Sequence, residues 1–333
     1  MILSPAVLAL VTSSAAVCAV AVLASAAAVS VMVGWDPEDS GRRQLERERR
    51  SHLVGAALGV VLGVQLVSLF LFVATATHLH TLFTGAMCAV GTLNASRFGW
   101  PALAAKVVAF VLCGLWLVVQ GATSSASSPG LVRFRNLFVL PVAAALVVEN
   151  VLQYRYFADL DPEIITSCCA TIFSAQAGGV ASGLAALPAS GVMAAFAAAL
   201  VLTLGAGFRC VVLSRSPVAY SVFAVPLAGL ALAAVISWFA PAVYQLPTHH
   251  CPFCLLSSDY GYVGYPVYGL LSLAVVAGGG SGLVHRLRAI DRTGGIGPGE
   301  ERRLCAVSMA GFALFSLFGL WPILATLIRL GGL

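Results

Sequence analysis

Charged residues are scarce in this sequence. Aspartate, glutamate, lysine and arginine together make up 9% of the 333 residues, whereas a soluble domain carries about 25%. Hydrophobic residues make up 60%, the mean hydropathy is +0.97, and no hydrophilic stretch is long enough to form a soluble domain. This composition excludes a soluble enzyme and predicts a polytopic membrane protein, with membrane lipid as its principal surrounding.

The sequence also lacks a phosphate-binding loop. The glycine clusters at Gly278–Gly280 and Gly294–Gly299 are not followed by Lys-Ser/Thr, so we interpret them as flexible connectors. The net charge of +5 reports membrane orientation, and we expect no nucleic-acid partner. No basic residue precedes the first apolar run, which is too long for the apolar core of a signal peptide. We therefore expect that run to be retained as a transmembrane helix.

Several apolar runs are each long enough to cross a bilayer, which takes roughly 20 residues. They predict an all-α protein with a single transmembrane domain of about eight helices. The expected helices are 5–34, 53–76, 101–122, 136–153, 184–208, 218–240, 263–284 and 304–328. Polar or cysteine-bearing segments at 78–100 and 164–183 are ambiguous. We interpret both as loops, with a re-entrant path or a short crossing as alternatives.

Arginines mark one side of the predicted bundle. They concentrate in the alternate loops 35–52, 123–135, 209–217 and 285–303. Because cytoplasmic loops carry an excess of basic residues, this side is predicted to be cytoplasmic and both termini to lie outside. The expected location is a bacterial inner membrane, with the remaining loops on the periplasmic face.

The predicted topology divides the nine cysteines into those in outer loops and those in or beside helices. Disulfide chemistry operates on the outer face of a bacterial membrane, so thiols there are candidate functional groups. Buried cysteines elsewhere commonly behave as small hydrophobic residues, and we interpret those in or beside helices as packing residues. The outer-loop cysteines are Cys88, Cys168, Cys169, Cys251 and Cys254. The others are Cys18, Cys113, Cys210 and Cys305.

The segment His249-His250-Cys251-Pro252-Phe253-Cys254 is the densest group of reactive side chains. Cys-x-x-Cys spacing lets two sulfurs close a small disulfide ring or hold one soft metal ion. If a helix that begins near Cys254 runs into the membrane, its N-terminal dipole would favour the thiolate form of Cys251. The histidines could supply positive charge or neutral metal ligands. Redox activity, metal ligation and a passive disulfide all remain open.

Cys168 and Cys169 form a second candidate group. Adjacent cysteines make a strained ring when they pair with each other, so partners elsewhere, such as Cys88 or Cys251, are favoured. Thiolates from the three outer loops could instead join histidines in a tetrahedral zinc site, or form a copper(I) site of lower coordination.

Histidines and tyrosines near these loops are further candidates. His78 and His80 could bind a cofactor or a metal, or lie hydrated at the membrane interface. Tyr260 and Tyr262 follow the Cys-x-x-Cys motif and could form part of an interfacial aromatic belt. Alternatively, they could line a quinone or substrate pocket.

Ionisable residues within predicted helices are costly in lipid and often functional. Lys106 lies in the third predicted helix and Glu149 in the fourth. The two could pair, Lys106 could face a quinone carbonyl or an anionic ligand, or its ammonium could extend to the interface.

The residues from Cys251 to Ser257, Cys-Pro-Phe-Cys-Leu-Leu-Ser, resemble the Cys-x-x-Cys-Leu-x-Ser element of bacterial vitamin K epoxide reductase homologues. Those membrane proteins are related in logic to the disulfide-forming quinone reductases of the periplasm. The resemblance implies that Cys251 and Cys254 pass electrons to a quinone. It also implies that a loop pair exchanges with a soluble thioredoxin-like partner.

Three functional classes follow from the sequence. The first is a thiol/disulfide oxidoreductase of the periplasmic face, in which outer thiols exchange with a thioredoxin-like protein and electrons reach a quinone near Lys106. The second is a soft-metal-binding membrane protein or permease component, with zinc or copper at the same cysteines and histidines. The third is a structural subunit of a larger membrane complex, with no cofactor.

Overall fold

The computed structural model describes residues 4–33, 41–123, 128–166, 180–291 and 294–330. It is 83% helical, and no strand occurs among these residues. An apolar segment in lipid must satisfy its backbone polar groups internally, and the α-helix does so within one segment. The all-α prediction is confirmed.

Ten α-helices account for the described chain, and the longest are those that carry the apolar runs. Helix α8 contains one π-helical turn, Val235–Phe239. The helices are α1 Pro5–Val33, α2 Arg42–Leu79, α3 Ala89–Asn94, α4 Gly99–Thr123, α5 Pro129–Ala158, α6 Val180–Ala185, α7 Ala189–Val211, α8 Val218–Tyr244, α9 Gly264–Ile290 and α10 Pro298–Leu330.

Eight helices in the described part of the chain are long and apolar enough to cross a membrane, as the sequence predicted. The observed helices extend beyond the predicted runs, most clearly at the start of α2 and α5. Arginine and glutamate are strong helix formers in water, so the charged stretch 42–50 continues the helix outside the apolar run. Pro129 extends α5 at its first turn, where a missing N–H removes no helical hydrogen bond. The chain is a multi-pass membrane protein.

The segment 78–100 is a loop that carries a short buried helix. Helix α2 continues to Leu79, and a 3-10 turn follows at His80–Leu82. Helix α3 has only six residues, too few to cross a bilayer, and its residues 89–93 are all buried. The short crossing considered for this segment is therefore wrong. In the other ambiguous segment, residues 167–179 lie outside the described part of the chain.

The chain forms two compact units. The first comprises Met1–Thr75, Ser96–Asp161 and Leu283–Glu300, and the second comprises Ala76–Ala95, Pro162–Gly282 and Glu301–Leu333. In the first unit, α5 packs against α1 and α4 around an apolar cluster that includes Trp116. In the second, α7 packs against α8, and the apolar cluster there surrounds the cysteine-bearing loops.

Candidate metal centre

The Cys-x-x-Cys segment lies in a loop between α8 and α9. Cys254 begins a 3-10 turn of three residues, Cys254–Leu256, and a second such turn follows at Ser258–Tyr260. Gly261 and Tyr262 then take positive φ values of 62° and 57°, which prevent these turns from continuing into α9. The membrane-spanning helix α9 begins at Gly264, close to the predicted start at residue 263, so Cys251 does not lie at its N-terminus.

Three cysteine sulfurs converge in the second unit. The Sγ atoms of Cys88, Cys251 and Cys254 all lie within 4.8 Å of one another. Cys88 and Cys251 are 163 residues apart in the sequence, yet their sulfurs are separated by 3.6 Å. The exposed fractions of the three residues are 1%, 1% and 8%. The fold therefore gathers thiols from two distant loops into its interior.

Cys88 reaches this position because it immediately precedes the buried helix α3. Thr92 on α3 donates a hydrogen bond from Oγ1 to the carbonyl of Ala76 on α2, at 2.8 Å. Gly91 also packs closely, since a Cβ atom there would lie 2.5 Å from the Cβ of Ala86. These contacts hold the loop compact and direct Cys88 inward.

Two tyrosine hydroxyls fix the Cys-x-x-Cys loop by its backbone. Tyr244, the last residue of α8, donates to the Cys251 carbonyl at 2.6 Å. Tyr268, in α9, donates to the Pro252 carbonyl at 2.8 Å. The loop is thus anchored at both neighbouring helices. Tyr244 could not be recognised from the sequence, because no motif marks it and its role depends on where α8 ends.

His249 is the histidine beside the sulfurs. Its Nε2 atom lies 3.4 Å from Cys254 Sγ, and the residue is half-buried. The His249 ring packs edge-on against the Tyr244 ring, with centroids 4.8 Å apart. The Tyr260 ring also packs against Tyr244, with centroids 4.3 Å apart. Tyr260 therefore supports the loop, whereas Tyr262 is 55% exposed.

The other predicted histidines bond to backbone carbonyls or face outward. His250 donates from Nδ1 to the carbonyl of Ile236 at 2.9 Å, within the π-helical turn of α8. His80 donates from Nδ1 to the Thr77 carbonyl, and His78 is exposed at the end of α2. Neither His78 nor His80 belongs to the sulfur cluster, which in the described chain comprises three cysteines.

The remaining cysteines occupy different surroundings. Cys168 and Cys169 lie outside the described residues, so their participation stays a prediction. Cys113 is fully buried in the apolar cluster of the first unit, as expected for a packing residue. Cys210 and Cys305 are buried next to each other in the second unit.

Two donor–donor distances in the cluster are close to those of a tetrahedral zinc site, and the three sulfurs lie within 4.8 Å of one another. Zn–S bonds of about 2.3 Å and Zn–N bonds of about 2.0–2.1 Å at tetrahedral angles give sulfur–sulfur edges of about 3.8 Å and sulfur–nitrogen edges of about 3.6 Å. The Cys88–Cys251 sulfur pair is at 3.6 Å, and the His249 Nε2 to Cys254 Sγ distance is 3.4 Å. His249 is near Cys254 but lies outside the group of ligand atoms within 4.8 Å of one another, so its ring would have to move towards the other two sulfurs to become a fourth donor.

Lys106 belongs to a charged cluster in the first unit. Its Nζ atom lies 2.5 Å from Glu149 Oε1 and donates to Ser68 Oγ at 2.9 Å. Gln65 donates from Nε2 to the other carboxylate oxygen of Glu149 at 3.1 Å. Lys106 is 2% exposed, so its ammonium does not extend to the interface. The ion pair is present, and a quinone at Lys106 stays a prediction.

Comparisons with protein-family models, with curated proteins and with solved structures gave no match. The resemblance of Cys251–Ser257 to vitamin K epoxide reductase homologues is therefore not tested by any relative. Functional inference rests on the geometry of the cysteine cluster and on the chemistry of its donor atoms.

Proposed function

We propose that this membrane protein holds one zinc(II) ion at Cys88, Cys251, Cys254 and His249. The observation that supports this is the convergence of three buried sulfurs within 4.8 Å from two distant loops. A buried thiol usually packs singly as a small hydrophobic residue, whereas three buried thiols within 4.8 Å of one another form the donor set of a soft-metal site.

Burial favours a metal over exchange with a protein partner. Thiols that exchange disulfides are partly exposed, because the attacking sulfur must reach the partner's sulfur in line. Cys88 and Cys251 are each 1% exposed. A metal ion needs only a path for its own entry, and it remains bound to the buried sulfurs afterwards.

Charge and coordination number favour zinc over copper(I). Three thiolates with zinc(II) and a neutral imidazole carry one net negative charge, whereas three thiolates with copper(I) carry two. A buried site tolerates the smaller charge better. His249 also supplies a fourth donor, which zinc(II) uses in its tetrahedral structural sites and copper(I) does not need.

The proposed role of the ion is structural. A site closed by four protein ligands is typical of structural zinc, which contributes directly to folding free energy. The ion joins the loop before α3 to the loop between α8 and α9. It thereby stabilises the outer loops of the second unit, in a protein that acts as a metal-stabilised membrane component.

The test is the metal content of protein purified in detergent without chelator. We expect about one zinc per chain by inductively coupled plasma mass spectrometry, and loss of that zinc in Cys88→Ser and Cys251→Ser. Cys113→Ser is the matched control, since Cys113 is equally buried but lies in the first unit. A wild-type chain without metal, or a Cys88→Ser variant that retains one zinc, would contradict the proposal.

A second candidate function is thiol oxidation, which the 3.6 Å contact between the Cys88 and Cys251 sulfurs favours. A disulfide between them releases two electrons and two protons, which would reduce a membrane quinone to its quinol. The Cys254 thiolate would then attack the Cys251 sulfur and release the Cys88 thiol, and the two thiols of a thioredoxin-like partner would reduce the resulting Cys251–Cys254 disulfide and become a disulfide themselves. Isolation of a metal-free chain with this disulfide, found by peptide mapping without reductant, would support oxidation over zinc.

The proposed site belongs to the periplasmic face of a bacterial inner membrane. The support is the arginine bias, which assigns the loop between α9 and α10 to the cytoplasm. Alkaline phosphatase, which is active only outside the cytoplasm, tests this when fused after Leu246 and after Asp291. We expect activity at the first position and none at the second. The reverse pattern would invert the assignment.

A further inference from the structure

A second cysteine pair lies between two long helices of the second unit. Cys210 is in the last turn of α7, and Cys305 is in the first half of α10. Their sulfurs are separated by 2.8 Å although the residues are 95 positions apart in the sequence. The exposed fractions are 2% and 0%.

The two cysteines are free thiols in the structure, and their sulfurs are closer than the usual contact distance of unbonded atoms. Carbon atoms in van der Waals contact lie about 3.5–4.0 Å apart, and the larger sulfur atoms approach no closer without a bond. A disulfide has a sulfur–sulfur distance of about 2.05 Å, so a combined movement of about 0.8 Å forms one. A bridging metal ion would need the opposite movement, since two Zn–S bonds of about 2.3 Å separate their sulfurs by more than 3 Å.

The packing of the helices forces the two sulfurs together. One turn before Cys210, Gly207 faces Met309, which lies one turn after Cys305. A Cβ atom at Gly207 would lie 2.4 Å from Met309 Sδ, so the Met309 side chain of α10 packs directly on the backbone of α7 at this position. The buried side chain of Tyr220 belongs to the same cluster as Cys210 and Cys305. Cys210, Cys305 and Tyr220 are all buried in this cluster, and Met309 packs against it.

We propose that Cys210 and Cys305 are joined by a disulfide that ties α7 to α10. Formation removes one proton and one electron from each thiol, and a membrane quinone accepts both electrons and both protons to become a quinol. Both cysteines lie at the helix ends next to the arginine-rich loops predicted to be cytoplasmic, where glutathione keeps accessible thiols reduced, so the bond requires a lipid-soluble oxidant that reaches the buried pair through the membrane. Burial also protects the bond from thiols dissolved in water, so it persists once formed. This proposal does not rest on the zinc site.

The test determines by mass spectrometry which cysteines are free thiols and which are joined in a disulfide. The protein is purified, denatured without reductant, treated with N-ethylmaleimide and digested. We expect the peptides that contain Cys210 and Cys305 to be unmodified, joined and two hydrogens lighter than the separate pair. Cys113, which is equally buried, should be modified in the same sample. Modification of both Cys210 and Cys305 before reduction would overturn the proposal.

Two variants test whether the joined peptide and the effect of a reductant both arise from a disulfide between Cys210 and Cys305. Cys210→Ser should leave Cys305 open to maleimide and remove the joined peptide. In the double variant Cys210→Ala/Cys305→Ala, a lipid-permeable phosphine should not change the unfolding temperature, whereas it should lower that of the wild type. An equal decrease in both proteins would contradict a stabilising bond at this position.

Discussion

Replacing Glu149 with glutamine would leave the ammonium of Lys106 inside a membrane-spanning helix without its counter-ion. The ammonium also contacts Ser68 Oγ at 2.9 Å and lies 5.3 Å from the centre of the Phe72 ring. Neither neighbour carries a negative charge. Removing one partner of a buried ion pair costs about 3–5 kcal/mol, because the other charge stays buried. We expect Glu149→Gln to lose stability by that amount.

Removing both charges should cost much less than the sum of the single changes. Lys106→Met with Glu149→Gln leaves no buried charge, and replacing a buried pair with neutral groups is often close to neutral. Gln65 can still bond to an amide at position 149. We therefore expect the double variant to lie within about 2 kcal/mol of the wild type, and Lys106→Met alone to be destabilised by about 3–5 kcal/mol.

The assay is unfolding by sodium dodecyl sulfate in mixed micelles, followed by far-ultraviolet circular dichroism. Glu46→Gln is the matched control, because Glu46 pairs with Arg42 on the surface, with side chains 66% and 93% exposed. Such pairs contribute about 0–1 kcal/mol. A Glu149→Gln variant as stable as Glu46→Gln would show that the buried Lys106 ammonium does not depend on Glu149 as its counter-ion. Additive losses in the double variant would do the same.

Two further changes test the packing around the cysteine sites. Tyr244→Phe removes the donor to the Cys251 carbonyl and should weaken zinc binding about tenfold to hundredfold in a chelator competition. Tyr262→Phe, at an exposed ring, should leave zinc affinity unchanged. Gly207→Ala places a methyl group 2.4 Å from Met309 Sδ and should lower stability by about 1–3 kcal/mol. Gly205→Ala on the same helix meets nothing within 4 Å and should not. Equal effects within either pair would contradict these contacts.

The membrane-spanning helices were predictable because bilayer thickness imposes both a length and a composition on each of them. The ends of these helices were not predictable, since the charged stretch 42–50 also forms helix in water and continues α2 beyond the apolar run. Cys251 and Cys254 were identifiable from their spacing. Cys88 was also a candidate because the arginine bias assigned its loop to the same face. That Cys88 in particular meets Cys251 and Cys254 could not be predicted, because the burial of α3, and with it of Cys88, depends on tertiary contacts such as that between Thr92 and the Ala76 carbonyl.

The interpretation of Cys210 and Cys305 shows a second limit of sequence reasoning. Each lies alone near the end of an apolar helix, which is the usual surrounding of a packing residue. Their proximity depends on how α7 meets α10 at Gly207, and no local pattern encodes that approach. Lys106 and Glu149 were easier to associate, since two isolated opposite charges in apolar helices favour pairing.

X-ray absorption at the zinc edge tests the central claim most directly, because it reports the atoms bound to the metal. For protein purified without chelator, we expect zinc with three sulfur neighbours at about 2.3 Å and one nitrogen neighbour at about 2.0–2.1 Å. Cys88→Ser should lose one sulfur from this shell or lose the zinc. A shell of nitrogen and oxygen alone, or a metal-free chain with a disulfide between Cys88 and Cys251, would contradict it.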